Sequence, residues 1–153
     1  MRDTLVEQRR DPLLLSTDRA RVDRDAVLGM LHRSHWGASV TRDILERAIE
    51  NSITVGVYAD RAQLGFARVV TDLTTYAYLT DVIVHESARG QGIGSWMVEA
   101  IVGHRNLQGL RRIALLTRDA QSLYAKFGFT TDMPVSTYME LRGPAVTPAA
   151  PRA

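Results

Sequence analysis

The 153-residue sequence contains no cysteine, which excludes disulfides, thiolate metal sites and a cysteine nucleophile. It has a single lysine, Lys126, so nearly all of its 19 basic side chains are arginines. They are spread among 17 acids and leave a formal net charge of +2, a pattern that argues against a nucleic-acid partner. Long apolar runs are missing too. Leu13-Leu14-Leu15 is far too short to span a membrane, and the N-terminus lacks the apolar core of a signal peptide, so no membrane partner and a cytoplasmic location are expected. There is no internal repeat. Hydrophobic residues at 45% and charged residues at 24% fit one globular domain large enough to bury a core.

The familiar phosphate motifs are also absent. A Walker loop needs Gly-Lys-Ser/Thr, and no lysine lies near Gln91. A dinucleotide fingerprint needs a third glycine where Ser95 stands, and an acid where Arg111 and Arg112 stand. What is present is a run from Thr80 to Val84, rich in β-branched residues, that breaks into Gly90-Gln91-Gly92-Ile93-Gly94-Ser95. The pattern then resumes with Trp96, Met97, Ala100 and Ile101 at helical spacing. Strand, tight turn and helix aim free backbone N–H groups and a helix N-terminus at one point, which suits an anion such as a phosphate. The alternative is a tight strand-to-helix turn with no ligand.

Around that stretch the periodicity predicts an ordered series of elements. Residues 1–11 are polar and read as a flexible arm. Leu13–Ser16 reads as a strand. A helix capped by Asp23 runs to about His35 with Val27, Leu28 and Leu31 on one stripe, and a second begins near Thr41 and stops at Asn51-Ser52. Three strands follow at 53–59, 63–72 and 76–84. Their short polar connections imply antiparallel neighbours, which argues strongly against a dinucleotide fold. After the helix at 94–104 come a strand at 112–116 and a helix capped by Asp119 that carries Leu123, Tyr124 and Phe127 and ends at Gly128. Closing strands at 129–131 and 136–141 complete the domain (12–142). The proline- and alanine-rich tail 143–153 reads as disordered.

Arg89-x-x-Gly92-x-Gly94 resembles the (Gln/Arg)-x-x-Gly-x-(Gly/Ala) signature of the GNAT superfamily of N-acetyltransferases. The resemblance extends over about residues 12–142. Gly65-Phe66-Ala67-Arg68-Val69-Val70-Thr71-Asp72, Tyr78-Leu79-Thr80-Asp81-Val82 and Gln108-Gly109-Leu110-Arg111-Arg112 are similar to a bacterial branch of small GNAT proteins. So are Thr117-Arg118-Asp119-Ala120 and Leu123-Tyr124-Ala125-Lys126-Phe127-Gly128-Phe129. The resemblance implies an α/β (mixed α+β) fold, with a mostly antiparallel mixed sheet of about seven strands flanked by four helices.

It also implies a chemistry. Acetyl-CoA would be the co-substrate, with no metal. Backbone amides of Arg89, Gly90, Gln91, Gly92, Ile93, Gly94 and Ser95 would hold its pyrophosphate, and Val82, Ile83 and Val84 its pantetheine arm and thioester carbonyl. Arg105 with Arg111-Arg112 would be either a patch for its 3′-phosphate or solvated surface. Tyr124 matches the tyrosine that family members often use to protonate the thiolate. Thr117, a cofactor-binding candidate, stands where many members carry an asparagine that bonds the pantetheine or the acceptor. It keeps a hydroxyl but loses the amide's paired donor and acceptor, so that role does not transfer intact. Asp81, mid-strand and expected on the same face as Leu79 and Ile83, is either the general base or a structural carboxylate bonded to backbone or to an arginine such as Arg68. His85 and Glu86 read as solvated loop residues. His35 and Trp36 would line the acceptor pocket, or be a surface histidine beside a core tryptophan. The implied reaction is acetyl transfer to a primary amine of a small molecule, by direct attack in a ternary complex. A protein or peptide amine, or a non-catalytic acetyl-CoA sensor, is the alternative. A homodimer through the closing strands is the implied assembly.

Overall fold

The structure is a computed structural model and describes residues 4–133 and 138–141. Six strands form one sheet in the order β1 (Glu7–Arg10), β2 (Leu13–Ser16), β3 (Ile53–Ala59), β4 (Ala62–Thr71), β5 (Tyr76–Val84) and β6 (Arg112–Ala114). All neighbours are antiparallel except β5 and β6, which run parallel. Short polar turns can join antiparallel neighbours, whereas the parallel pair needs a crossover. Helix α3 (Ile93–Val102) supplies it.

Period-two alternation gives the sheet two apolar faces. Ile53, Val55 and Val57 of β3 and Ala67 and Val69 of β4 pack with Trp96, Met97, Val98 and Ile101 of α3. On the opposite face Phe66 joins Val27, Met30 and Leu31 of α1 (Arg24–His32) and Leu45 and Ile49 of α2 (Arg42–Glu50). Capping sets where these helices start. Asp23 accepts from the N–H groups of Asp25 and Ala26, and Thr41 from that of Ile44, which satisfies donors that have no intrahelical partner. A short fourth helix, α4 (Gln121–Ala125), lies beside α3.

Several expectations need correction. Glu7–Arg10 is not part of a loose arm. Gln8 accepts a 2.8 Å hydrogen bond from the indole N–H of the buried Trp96. The Arg10 guanidinium lies 4.7 Å from that ring's centroid and 2.7 Å from Glu99. A buried indole N–H needs an acceptor, and the N-terminal strand delivers it. Helix α1 stops at His32 rather than His35, because the Leu31 carbonyl is taken by the Ser34 N–H and hydroxyl. Gly37 approaches that carbonyl so closely that a Cβ there would lie 2.7 Å from it. Asp119 does not cap α4. The hydroxyl of Thr117 accepts from the Ala120 N–H at 3.1 Å, and Ala120 is the cap residue.

The strand expected at 112–116 ends at Ala114, and 129–131 forms none. The closing strand at 136–141 falls partly outside the described residues, and 138–141 carries no regular structure. With β1 gained and those two strands not seen, six strands stand among the described residues instead of about seven. The tail 143–153 lies outside them. No helix among the described residues is long and apolar enough to cross a membrane.

Candidate active site

The site is built where strand pairing is interrupted. Strands β4 and β5 pair from Thr71↔Ala77 to Arg68↔Thr80, then resume at Phe66↔Ile83. Asp81 and Val82 therefore face the single residue Ala67 and make a β-bulge. Asp81 sits at φ 54°, a left-handed backbone that costs most side chains about 1–2 kcal/mol and that Asp and Asn tolerate best. The inserted residue turns the strand over. Leu79 belongs to the α3 face of the sheet and Ile83 to the α1–α2 face. The expectation that Leu79, Asp81 and Ile83 share a face thus fails, because strict alternation stops at Asp81. On the other side of β5, pairing with β6 covers only Tyr76↔Arg112 to Tyr78↔Ala114. Beyond Tyr78 the two parallel strands are no longer bonded to one another.

The gap is a cleft of about 500 Å³, lined by β5 from Tyr78 to Val82, by the 116–120 segment, and by Tyr124, His35 and Trp36. Tyr124 is 9% exposed and meets Phe129 edge-on at 5.9 Å between ring centres. Burial pushes its phenol above its ordinary value, so the hydroxyl stays protonated at neutral pH. Thr117 lines the same cleft and spends one acceptor site on the N–H of Ala120, just before α4. Trp36 is 45% exposed, so the core-tryptophan alternative fails. The early end of α1 carries it and His35 to the cleft.

The glycine loop lies past the end of β5. His85 Nδ1 accepts from the Ser87 N–H at 3.2 Å and starts a 3-10 turn at Glu86–Ala88. Glu86 pairs with Arg33 of the α1 C-cap at 3.4 Å. Both residues are structural parts of the turn. Arg89 bends back and donates through Nε to the Val84 carbonyl at 3.3 Å. Gly92, left-handed at φ 77°, is the α3 cap residue and makes no side-chain cap hydrogen bond. The first α3 bond runs from the Trp96 N–H to the Gly92 carbonyl, 3.0 Å. The N–H groups of Ile93, Gly94 and Ser95 are thus left to the outside. Nothing lies within 4 Å of where a Cβ would project from Gly90 or Gly92. A Cβ on Gly94 would lie 3.5 Å from Leu123 of α4 and 3.9 Å from Val84, so the loop, the end of β5 and α4 adjoin.

Asp81 does not stand alone. Its Oδ2 accepts from Arg68 Nε at 2.7 Å and its Oδ1 from the Thr80 hydroxyl at 3.2 Å. Arg68 also reaches the hydroxyl of the buried Ser52 at 3.1 Å. This is the structural-carboxylate arrangement. Arg111 and Arg112 line a second cavity of about 950 Å³ between β6 and α4, and Tyr124 lines both. Arg105, in the 3-10 turn Arg105–Leu107, is not among the residues around it.

Residues 50–131 match the family described as the acetyltransferase (GNAT) domain. The chain belongs to the GNAT family of acetyltransferases. A Gibberella zeae protein that its name assigns provisionally to the acetyltransferases is 33% identical over 140 residues, 76% of this chain and 78% of its own. A Xanthomonas campestris structure described as belonging to the GNAT family is 36% identical, with a TM-score of 0.76 over 83% of this chain and 93% of that one. A Staphylococcus aureus structure, also provisionally an acetyltransferase, is 26% identical, with a TM-score of 0.72 over 86% of this chain and 99% of that one. Acetyl-CoA is the donor that membership in this family implies.

Sequence reasoning brought Tyr124, Thr117, Asp81, His35 and Trp36 forward, and this acetyltransferase gathers them at one cleft. Ile83, Val84 and the loop lie outside its lining, further along the same strand. Tyr78, Arg118 and Ser52 were given no site role. The first two lie inside stretches that carry the family resemblance, while Ser52 carried no local signal because its partner is 16 residues away.

Proposed function

We propose that this acetyltransferase transfers the acetyl group of acetyl-CoA to the primary amine of a small molecule, by direct attack with both substrates bound. The observation that carries the reading is the buried Tyr124 lining the same cleft as the unpaired end of β5. The residues fit the donor. The uncapped N-terminus of α3, with open space over Gly90 and Gly92, offers backbone N–H groups and a positive dipole end to a pyrophosphate. The backbone of Val82 to Val84, freed of its partner on the β6 side, offers hydrogen bonds to a pantetheine arm and to the thioester oxygen.

Acetyl-CoA supplies an activated acyl carbon to the amine. As the nitrogen–carbon bond forms and the carbon–sulfur bond breaks, Tyr124 gives its proton to the sulfur and regains one from solvent. The amine's proton leaves to water, so no dedicated base is needed. N–H groups from Val82 to Val84 stabilise the charge on the oxygen, the type of electrostatic help that dominates acyl transfer. A cleft of about 500 Å³ lies within the range of small-molecule sites, about 300–1,000 Å³, and His35 and Trp36 form its acceptor wall.

The test is calorimetric titration with acetyl-CoA, with NADPH and ATP as controls, followed by an amine panel read by release of free thiol. Selective acetyl-CoA binding and turnover of a small amine are expected. Absence of binding by folded protein sinks the donor assignment, and turnover only with peptide amines sinks the acceptor assignment.

A further inference from the structure

We infer that Arg68 and Asp81 form a latch that holds the left-handed bulge of β5, so that Asp81 is a positioning residue and not the base for the amine. The inference rests on reading the end of β5 as the acetyl-CoA seat. Its evidence lies in the sheet. Asp81 adopts φ 54° without being glycine, a strained backbone that persists only when its surroundings over-determine it. Those surroundings are visible. Both carboxylate oxygens already accept hydrogen bonds, from Arg68 Nε at 2.7 Å and the Thr80 hydroxyl at 3.2 Å. The two charged side chains are only 17% and 16% exposed, so removing either leaves the other poorly solvated and unpaired.

The position of Arg68 gives the pair its effect. Arg68 stands opposite Thr80, the last regular β4–β5 pair before the bulge. Its other nitrogen reaches Ser52, where α2 ends and β3 begins. The guanidinium therefore ties the bulged residue of β5 to its neighbour β4 and to the residue just ahead of β3. Arg68 shares its face of β4 with Phe66, which packs on α1 and α2, whereas Val82 and Val84 pack on the α3 side. The latch holds from one face the strand whose backbone serves the other.

Three variants separate latch from base: Asp81→Asn, Asp81→Ala and Arg68→Met. Each is read by the acetyl-CoA Kd, by amide hydrogen exchange at residues 82–84, and by the pH profile of kcat/KM. Asn tolerates the left-handed backbone and its carbonyl oxygen still accepts from Arg68, though without the charge, so Asp81→Asn should weaken acetyl-CoA binding less than Asp81→Ala and keep the pH profile of wild type. Arg68→Met and Asp81→Ala should each weaken acetyl-CoA binding about tenfold and speed exchange at 82–84 by a similar factor. Their double variant should be no worse than the poorer single one, because the two act as a unit. A fall of about 10²–10⁴ in kcat for Asp81→Asn, with the acidic limb of the profile lost and Kd intact, would make Asp81 the base and overturn the inference. So would unaltered exchange at 82–84 in Arg68→Met. Exchange needs no ligand, so it tests the latch even if the wild type fails to bind acetyl-CoA, which would defeat the donor assignment by itself.

Discussion

Strands β3 and β4 pair from Ile53↔Val69 to Ala59↔Ala62, with one register shift between Val57 and Tyr58, and β3 is buried from Ile53 to Tyr58. Strands β5 and β6 pair over three residues and then part. Two halves of one sheet thus use the backbone in opposite ways. In the first, pairing runs the full length of β3, and the side chains fill two layers of core. In the second, pairing stops before the strands do, and the groups left over border a cleft. A buried backbone group without a partner costs free energy, so such a gap persists where a ligand or water completes it. The closed half supplies rigidity and the open half supplies unspent hydrogen-bonding capacity.

The largest test of that contrast is truncation on either side of it. Phe66 is fully buried between the sheet and helices α1 and α2. Phe66→Ala should cost about 3–5 kcal/mol of stability, read by urea denaturation. Leu116, in the open half, is 61% exposed, and Leu116→Ala should change stability by no more than about 0.5 kcal/mol. Equal losses would mean that the halves are one packing unit. Next comes Tyr124→Phe, which keeps the ring packed on Phe129 and removes the proposed acid. A fall in kcat of about a hundredfold, with acetyl-CoA affinity and stability nearly unchanged, is expected. Unchanged kcat would leave the open half as a binding site without that acid.

The same contrast sets what could be read from the sequence. The closed half was legible because its apolar residues recur every second position in strands and every third or fourth in helices, and Asp23 and Thr41 announce the helix starts. The glycine loop was legible because Gly90 and Gly92 are residue types that a left-handed turn requires. Strand β1 was not. All four of its residues are exposed, and besides its local pairing with β2, the side chains that anchor it to the helix layer lie 88 and 89 residues away in Trp96 and Glu99. The bulge was not legible either. Period two places Asp81 with Leu79 and Ile83, and only the pairing register shows the extra residue. One signal was available: a lone acid, of a type that tolerates a left-handed backbone, set as the single charged residue of the run Tyr76–Val84. Thr117 turns the chain just ahead of α4 by accepting from the Ala120 N–H, and the helix starts at Ala120 without a side-chain cap, so Asp119 has no capping role to fill.

A smaller effect probes the loop. Gly92→Ala places a Cβ on a residue at φ 77° with nothing within 4 Å of it. The backbone strain is about 1 kcal/mol. The added methyl group projects into the space proposed for the pyrophosphate. Acetyl-CoA binding should weaken about tenfold, measured by calorimetry, while the melting temperature drops by only a few degrees. Binding that survives intact would place the anion elsewhere and reduce the loop to a turn.

The smallest effect returns to the closed half and runs the other way. Tyr58 is 6% exposed, its ring lies over Gly56, and its hydroxyl has no hydrogen-bond partner among the described residues. Burial pushes its phenol well above its ordinary value. Tyr58→Phe removes an unpaired buried hydroxyl while keeping the ring, so stability should rise by up to about 1 kcal/mol. The pH dependence has a definite sign. The folded phenol holds its proton after the unfolded one, near pH 10, has lost it, so above about pH 10 the unfolded state binds fewer protons and stability falls as pH rises. Below that pH the contribution is intact. Tyr58→Phe should flatten the alkaline fall, with Tyr124, raised by burial in the same direction, accounting for part of what remains. Thermal denaturation between pH 8 and 11, at roughly half-unit steps, reads both effects. Lower stability in the variant, with the slope unchanged, would mean that the hydroxyl is satisfied, and the closed half would then contain a polar group as well served as its backbone.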